Sequence, residues 1–292
     1  MGVIGRITAA SVAVAGVCAF GTSVGASTAP SPSCGPTIHK ANGQAWVCTL
    51  DDEFSGTSLN SAHWTPFTSV AGGFRGGAEC YTPKNVSVAN GTMNLPTTRA
   101  AAPFDCAGTN ASYYSGMVVS KQKFTQTYGR FQISAKIPMS KGLHAAFWLL
   151  PESSYNTRGQ LDYGEIDVME SGGWYDDVAS PHLHYVVTPG DAQSGNYCVV
   201  PNMATQFHTY TLEWTPTTMT FSYDGTTCWK TTWQTAYPYQ PPGAHAPAPF
   251  DQPFYLILNM GTDTAQTIAA NAVSSSTNLS QPYQVDYVRA WK

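Results

Sequence analysis

Charge is scarce in this chain. Of its 292 residues 11% are charged, and 14 Lys+Arg stand against 18 Asp+Glu for a formal net charge of -4. A nucleic-acid partner needs a basic face to neutralise phosphates, and this balance excludes one. Long apolar runs are also missing beyond the N-terminal segment, so no membrane-spanning helix is expected and no membrane partner. Cys-x-x-Cys spacing is absent and no histidine pairs with the cysteines, which removes a structural zinc site. Helical periodicity is almost lacking and no internal repeat recurs, which argues against helix bundles and solenoids. Disorder is excluded in turn by a hydrophobic content of 42%, enough for a sizeable core.

What is present begins with a secretory pattern. Met1 to Arg6 carries one positive charge, Ile7 to Phe20 is apolar, and Val24-Gly25-Ala26 suits cleavage before Ser27. Residues 1–26 are therefore expected to be a signal peptide, with export to the extracellular medium. Ala15-Gly16-Val17 ahead of Cys18 lacks the lipoprotein pattern, so export without a lipid anchor is the reading. Residues 27–44, rich in Ser, Thr, Pro and Gly, look like a short leader, and residues 45–292 like one catalytic-sized domain. Without the signal the chain keeps six of its 7 cysteines: Cys34, Cys48, Cys80, Cys106, Cys198 and Cys228. An even number in an exported chain favours disulfides. Of about 15 connectivities, pairing of sequence neighbours (Cys34–Cys48, Cys80–Cys106, Cys198–Cys228) is the one guessed. With 16 Tyr and 8 Trp on a weakly charged chain, neutral ligands fit best, carbohydrate in particular, because flat rings stack on sugars while their O–H and N–H edges bond hydroxyls.

Short strand patterns broken by Gly, Asn, Asp and Pro fill the chain from Ala45. Between Tyr128 and Ile137, Phe131, Ile133, Ala135 and Ile137 share one face, while Arg130, Gln132, Ser134 and Lys136 share the other. Thr209–Trp214 and Met219–Tyr223 form another strand pair, and Asp224-Gly225 supplies a tight turn before Cys228-Trp229-Lys230. Apolar runs Ala145–Leu150 and Phe254–Leu258 suit strands buried on both faces. A dozen or so strands with little helix predict an all-β, two-sheet antiparallel β-sandwich of jelly-roll type with a concave substrate cleft.

One strand is unusual. In Leu161-Asp162-Tyr163-Gly164-Glu165-Ile166-Asp167-Val168-Met169-Glu170, side chains two apart share a face, so Glu165 and Asp167 point together. Glu170 is out of phase and would enter the core, where an unpaired carboxylate is costly. One extra residue near Val168-Met169 corrects the phase, so the spacing predicts a β-bulge. Three carboxylates on one face raise one another's pKa values. Glycosidic hydrolysis uses such an arrangement, because it needs one ionised and one protonated carboxyl. Outer Cα atoms roughly 13 Å apart let leaning glutamates approach the ~5–5.5 Å of retaining enzymes. By spacing alone, a solvated acidic face and a calcium-binding face remain open.

Glu165-Ile166-Asp167-Val168-Met169-Glu170 resembles the active-site strand of glycoside hydrolase family 16, in its laminarinase-like (endo-β-1,3-glucanase) form. Leu50–Phe54 with Ser61–Trp64, Asn85–Gly91, Tyr128–Pro138, Ala146–Pro151, Phe207–Trp214, Phe254–Asn259 and Val285–Arg289 are similar to that family's segments in the same order. The resemblance implies Glu165 as nucleophile, Asp167 as assisting acid and Glu170 as acid/base. It implies substrate contacts at Trp148, His184, Glu79, Arg75 and Trp174. It also implies a structural calcium ion at Asp286, Glu53 and the Gly91 carbonyl, with no cofactor required for the chemistry. The expected protein is a monomer that hydrolyses β-1,3-glucan internally. Mixed-linkage glucan, β-galactan, transglycosylation and a non-catalytic glucan-binding role are the alternatives. Departures fall at Gly72–Cys80, Ser171–Tyr175 and Met260-Gly261-Thr262, all in segments that shape the cleft.

Overall fold

Strand Gly129–Lys136 follows the predicted alternation, with Phe131, Ile133 and Ala135 buried and Arg130, Gln132 and Lys136 partly exposed. The computed structural model of the chain describes residues 33–152, 164–172, 177–186, 191–232 and 248–292. The expected signal peptide, the start of the leader and Trp174 lie outside these residues. Twenty strands are described, against the dozen or so expected. The excess comes from two- and three-residue edge pieces such as Thr65–Pro66 and Cys198–Val199, too short for a periodic pattern to mark.

Two large antiparallel sheets carry the fold. One runs in the order Thr226–Thr231, Met219–Tyr223, His208–Trp214, Gly129–Lys136, Tyr283–Trp291, Thr92–Leu95, Ser87–Ala89, with Cys48–Asp52 also paired to Tyr283–Trp291. The other runs Asp191–Gly195, Val178–Val186, Glu165–Gly172, Leu143–Pro151, Phe254–Thr262, Met117–Val119, Thr65–Pro66. This is the β-sandwich of jelly-roll type read from the sequence. Between the sheets lies one apolar core, with Phe131, Ile133, Tyr210, Leu212 and Phe221 from the first sheet and Phe147, Leu149, Ile166, Leu256 and Leu258 from the second.

The second sheet is apolar on its other face too. Ala146, Trp148, Tyr255 and Ile257 form a separate cluster there with Tyr81, Met117 and Val119. Both-face burial explains the apolar runs Ala145–Leu150 and Phe254–Leu258 within the strands Leu143–Pro151 and Phe254–Thr262. A third, small sheet of Glu79–Tyr81, Thr109–Ser115 and Thr97–Cys106 flanks it, pinned by the disulfide Cys80–Cys106. The other disulfides are Cys34–Cys48 and Cys198–Cys228, so sequence neighbours do pair.

The expected leader does not end free at residue 44. Cys34 is 2% exposed, bonded to Cys48, and its backbone N–H donates to Asp51 Oδ2 at 3.0 Å. Residues 33–44 are thus fastened to the domain's first strand. Their polar composition hid this, because one cross-link and a few hydrogen bonds need no hydrophobic pattern.

Candidate active site

Register identifies the bulge. Glu165 lies opposite His184, Ile166 opposite Leu183 and Asp167 opposite His182, and the ladder resumes with Glu170 opposite Ser180. On the other side, Met169 faces Phe147 and Asp167 faces Trp148, so Val168 is the extra residue. Ile166, Val168 and Met169 are all fully buried in the core between the sheets. Two consecutive side chains on the core side are what return Glu170 to the face of Glu165 and Asp167. The Val168 carbonyl accepts a hydrogen bond from the Tyr223 hydroxyl at 3.0 Å, delivered across the core from the other sheet. That donor serves a buried acceptor beside an interrupted ladder. Gly164, with φ +72, begins the strand in a left-handed conformation; a Cβ there would lie 2.9 Å from both Phe250 Cε1 and Pro249 Cγ.

All three carboxylates line one cleft, together with Phe74, Tyr81, His144, Trp148, Asn259 and Asp263. Glu170 is held on both oxygens: His144 Nε2 lies 2.8 Å from Oε1 and His182 Nδ1 2.6 Å from Oε2. His144 Nδ1 in turn faces Asp263 Oδ1 at 3.2 Å, and Asn271 Nδ2 donates to Asp263 Oδ2 at 2.6 Å. His184 Nε2 lies 3.2 Å from Asp167 Oδ2. That contact is close without being aligned, since Asp167 Oδ2 is buried and has no hydrogen-bond partner.

These surroundings separate the carboxyl groups. Burial would raise the Glu170 carboxyl, but the hydrogen bonds and charges of His144 and His182 outweigh it and hold it well below the usual carboxylate range. Burial, then the Glu170 charge, pushes Asp167 well above its ordinary value, with His144 opposing. For His144, burial works against the cation, yet hydrogen bonds to Asp263 and Glu170 and their charges raise it to about 10. Neighbouring carboxyls with pKa values driven apart are the pattern that acid–base chemistry uses. Donor atoms of Glu165, Asp167 and His184, and of Asp167, Glu170 and His182, lie within 4.8 Å of one another in each group. A cation could bridge such spacings, but in the second group both Glu170 oxygens already accept imidazole N–H groups, so that group reads as hydrogen-bonded pairs and not as a metal centre.

Of the residues expected to touch substrate, Trp148 lines the cleft, is 8% exposed, and donates from Nε1 to Asn259 Oδ1 at 2.7 Å. Asn259 Nδ2 donates onward to the Tyr81 hydroxyl at 3.0 Å. His184 sits beside Asp167, as its strand position implied. One expectation is corrected. Glu79 is 0% exposed, and its carboxylate accepts from the backbone N–H groups of Gly76, Gly77 and Thr262 and from the Thr262 hydroxyl. It fastens a loop and has no free acceptor for a sugar. Arg75 Nη1 donates to the Asn110 carbonyl at 2.7 Å, toward the small sheet and outside the cleft lining.

Of the implied calcium ligands, one side chain is already engaged. Ladder pairs Asp52–Val288 and Val285–Met93 bring Glu53, Asp286 and Gly91 to one stretch of neighbouring strands. There, however, Glu53 Oε1 is engaged by Arg289 Nε at 2.6 Å. A guanidinium that already neutralises the carboxylate does not fit a divalent cation at the same oxygen.

Several cleft residues were not anticipated. His144 and Ala146 share the face of Trp148 by simple alternation on Leu143–Pro151, a signal present in the sequence. Asp263 and Asn271 lie beyond any strand period. Phe74, 41% exposed, packs at 5.9 Å on Trp148 and lies parallel to Tyr81 at 6.2 Å.

Comparison with known proteins adds the lineage. The model of the β-porphyranase A–D GH16 domain matches residues 46–292. Glucan endo-1,3-β-glucosidase A1 of Niallia circulans is 32% identical over 257 residues, 82% of this chain and 37% of that protein. The keratan-sulfate endo-1,4-β-galactosidase of Sphingobacterium multivorum is 32% identical over 189 residues, 64% of this chain and 42% of that one. The chain thus spans under half the length of these two relatives. Among solved structures, the endo-β-1,3-glucanase of Pyrococcus furiosus superposes with a TM-score of 0.74 at 25% identity, covering 88% of this chain and 97% of that one. With the bulged Glu-x-Asp-x-x-Glu strand in place and the match running over residues 46–292, the chain belongs to glycoside hydrolase family 16.

Proposed function

We propose that this chain is a secreted, retaining endo-glycosidase that hydrolyses β-glycosidic bonds in a neutral polysaccharide, with β-1,3-glucan the first substrate. One observation carries the reading: a single bulge puts Glu165, Asp167 and Glu170 on the same side of one strand, all lining one cleft. Glu165 attacks the anomeric carbon as the glycosidic bond breaks, and Glu170 passes a proton to the leaving oxygen. Asp167, buried and raised above its ordinary value, enters the cleft protonated and shares that proton with the neighbouring Glu165 carboxylate, modulating its charge through the cycle. Water then attacks the glycosyl-enzyme, with Glu170 taking its proton. The reaction needs no cofactor. Trp148 and Phe74 offer ring faces to sugars, and three disulfides suit an exported protein.

A β-galactan is the second reading, favoured by the β-porphyranase model and the galactosidase relative. Reducing ends released from laminarin, lichenan, agarose and porphyran decide between them, with Glu165→Gln as the inactive control. Laminarin is expected to be cleaved fastest; galactan preference moves the assignment to the second reading. Inertness of the wild type on all four, with binding retained, makes the chain a carbohydrate-binding protein. Product anomers followed by NMR test the mechanism, and an inverted first product overturns it.

A further inference from the structure

Each ring nitrogen of His144 faces a carboxylate oxygen: Nδ1 faces Asp263 at 3.2 Å and Nε2 faces Glu170 at 2.8 Å. An ionised carboxylate only accepts hydrogen bonds, so both nitrogens must carry hydrogen and the ring is an imidazolium. Asp263 is itself held in place: Asn271 Nδ2 donates to its Oδ2 at 2.6 Å and also to the Leu143 carbonyl at 3.2 Å. Asn271 Oδ1 accepts from Gly142 N at 2.8 Å, which closes the support onto the strand that bears His144. Surface charges do not need such an arrangement. It fixes one histidine between two carboxylates, one of them the group assigned above to proton transfer.

We propose that His144, held by Asp263, is the resident store of the proton that Glu170 delivers to the leaving oxygen. The inference rests on the reading of Glu170 as acid/base. In the first step the proton leaves His144 Nε2 for Glu170 and passes on to the glycosidic oxygen. The C1–O bond breaks, its electron pair stays on the leaving alcohol, and a Glu165 oxygen bonds to C1. The ring is left as neutral imidazole, still donating from Nδ1 to Asp263. In the second step water attacks C1, the Glu165–C1 bond breaks, and the water proton returns through Glu170 to Nε2. Protons balance without an outside donor. Glu170 carries the proton briefly and His144 keeps it between turnovers, so His144 is a positioning residue that acts through Glu170.

The titratable groups about this ring are Glu170 on the bulged strand, Asp263 after the Phe254–Thr262 strand, Asp167, whose carboxyl feels the His144 charge, and His182 across the Glu170 carboxylate. Glu165 lines the same cleft. The His144 cation is raised to about 10, so it persists at neutral pH in this setting.

Histidine ring nitrogens of the ¹⁵N-labelled full chain, titrated by NMR from pH 6 to 11 and assigned through contacts to Asp263 and Asn271, test the store directly. Both His144 nitrogens are expected to be protonated at pH 8; a neutral tautomer there overturns the proposal. Kinetics of His144→Gln test its use, since the amide keeps a hydrogen bond to Glu170 but holds no transferable proton. On polysaccharide, kcat is expected to fall by about 100-fold or more, with the alkaline limb of kcat/KM moved to lower pH. On a dinitrophenyl glycoside, whose leaving group needs no proton, the loss should be under about 10-fold. An unmoved alkaline limb, or equal losses on both substrates, overturns the proposal. If the wild type cleaves no glycoside, the functional reading has failed, and the NMR result still decides where this proton resides.

Discussion

Replacing Glu79 by Gln separates two roles that a glutamate beside a sugar cleft can have. In the structure its carboxylate gathers Gly76 N–H at 2.8 Å on Oε1 and Thr262 N–H at 3.0 Å on Oε2, with Gly77 N–H at 3.1 Å from both oxygens. The Thr262 hydroxyl adds a bond of 2.7 Å to Oε2. Glutamine has the same shape, but one of its two acceptor atoms becomes an NH₂ donor. Placed toward Gly76, its remaining oxygen serves that side and leaves Thr262 N–H facing another donor. The Thr262 hydroxyl, which accepts only from Ala78 N–H at 2.9 Å, can take that NH₂ on its second lone pair, but its own hydrogen then loses the Glu79 acceptor. At least two hydrogen bonds to a charged acceptor are lost, each worth about 1.5–3 kcal/mol, so the expected cost is about 4 kcal/mol. For a domain of this size that lowers Tm by about 8–16 °C in calorimetry. Gly77 amplifies the effect. A Cβ there would overlap the Thr262 carbonyl at 1.7 Å, so loop and strand touch backbone to backbone and neither can shift to compensate. A Tm within about 2 °C of wild type, together with a large rise in KM, would refute this reasoning and return Glu79 to the sugar.

Four further outcomes follow from the same geometry. Tyr223→Phe removes the donor to Val168 and should cost about 1–3 kcal/mol in denaturant unfolding; no change would mean that the bulge does not depend on it. Opening the Cys80–Cys106 bridge, which closes a 26-residue separation, should lower stability by about 3 kcal/mol under non-reducing conditions, and an unchanged midpoint contradicts that. Azide added to Glu170→Ala should restore turnover and yield a β-glycosyl azide, whereas Glu165→Ala should yield the α-azide; exchanged products would reverse the two roles. The Tm difference between wild type and His144→Gln should depend on pH. The depressed Glu170 carboxyl contributes stability above its ordinary value of 4.5, lost as pH falls below it, while His144 contributes fully below 6.5 and loses this as pH rises toward about 10. The difference therefore peaks between those limits, and a flat profile contradicts the ion pair.

Which parts of this site could be read from one chain depends on how far each interaction reaches along it. The bulge was legible because its reason is local: an out-of-phase carboxylate would enter a core made by Ile166 and Val168, and one extra residue prevents that. Trp148 is implied by the family resemblance, and His144 was within reach of it, since alternation from Trp148 passes through Ala146 to His144. What alternation could not supply was the partner. Glu170 meets His182 only because Asp167 pairs with His182 before the bulge and Glu170 with Ser180 after it, so the extra residue that corrects the phase also moves Glu170 along its neighbour. A Glu-x-Asp-x-x-Glu spacing without a register leaves His182 and His184 equivalent, and His184 alone was chosen. Glu79 failed differently. Its burial depends on Thr262, 183 residues away, where Met260-Gly261-Thr262 departs from the family pattern; the Gly-rich loop at Gly72–Cys80 departs with it. Those departures looked independent in the sequence, and in the structure the Glu79 carboxylate joins them. Asp263, which holds His144, directly follows the residue that Glu79 binds. The loop that carries Phe74 over Trp148 and the support for the proposed proton store are therefore anchored at adjacent backbone positions, so a substitution at Glu79 should disturb sugar stacking and proton transfer together.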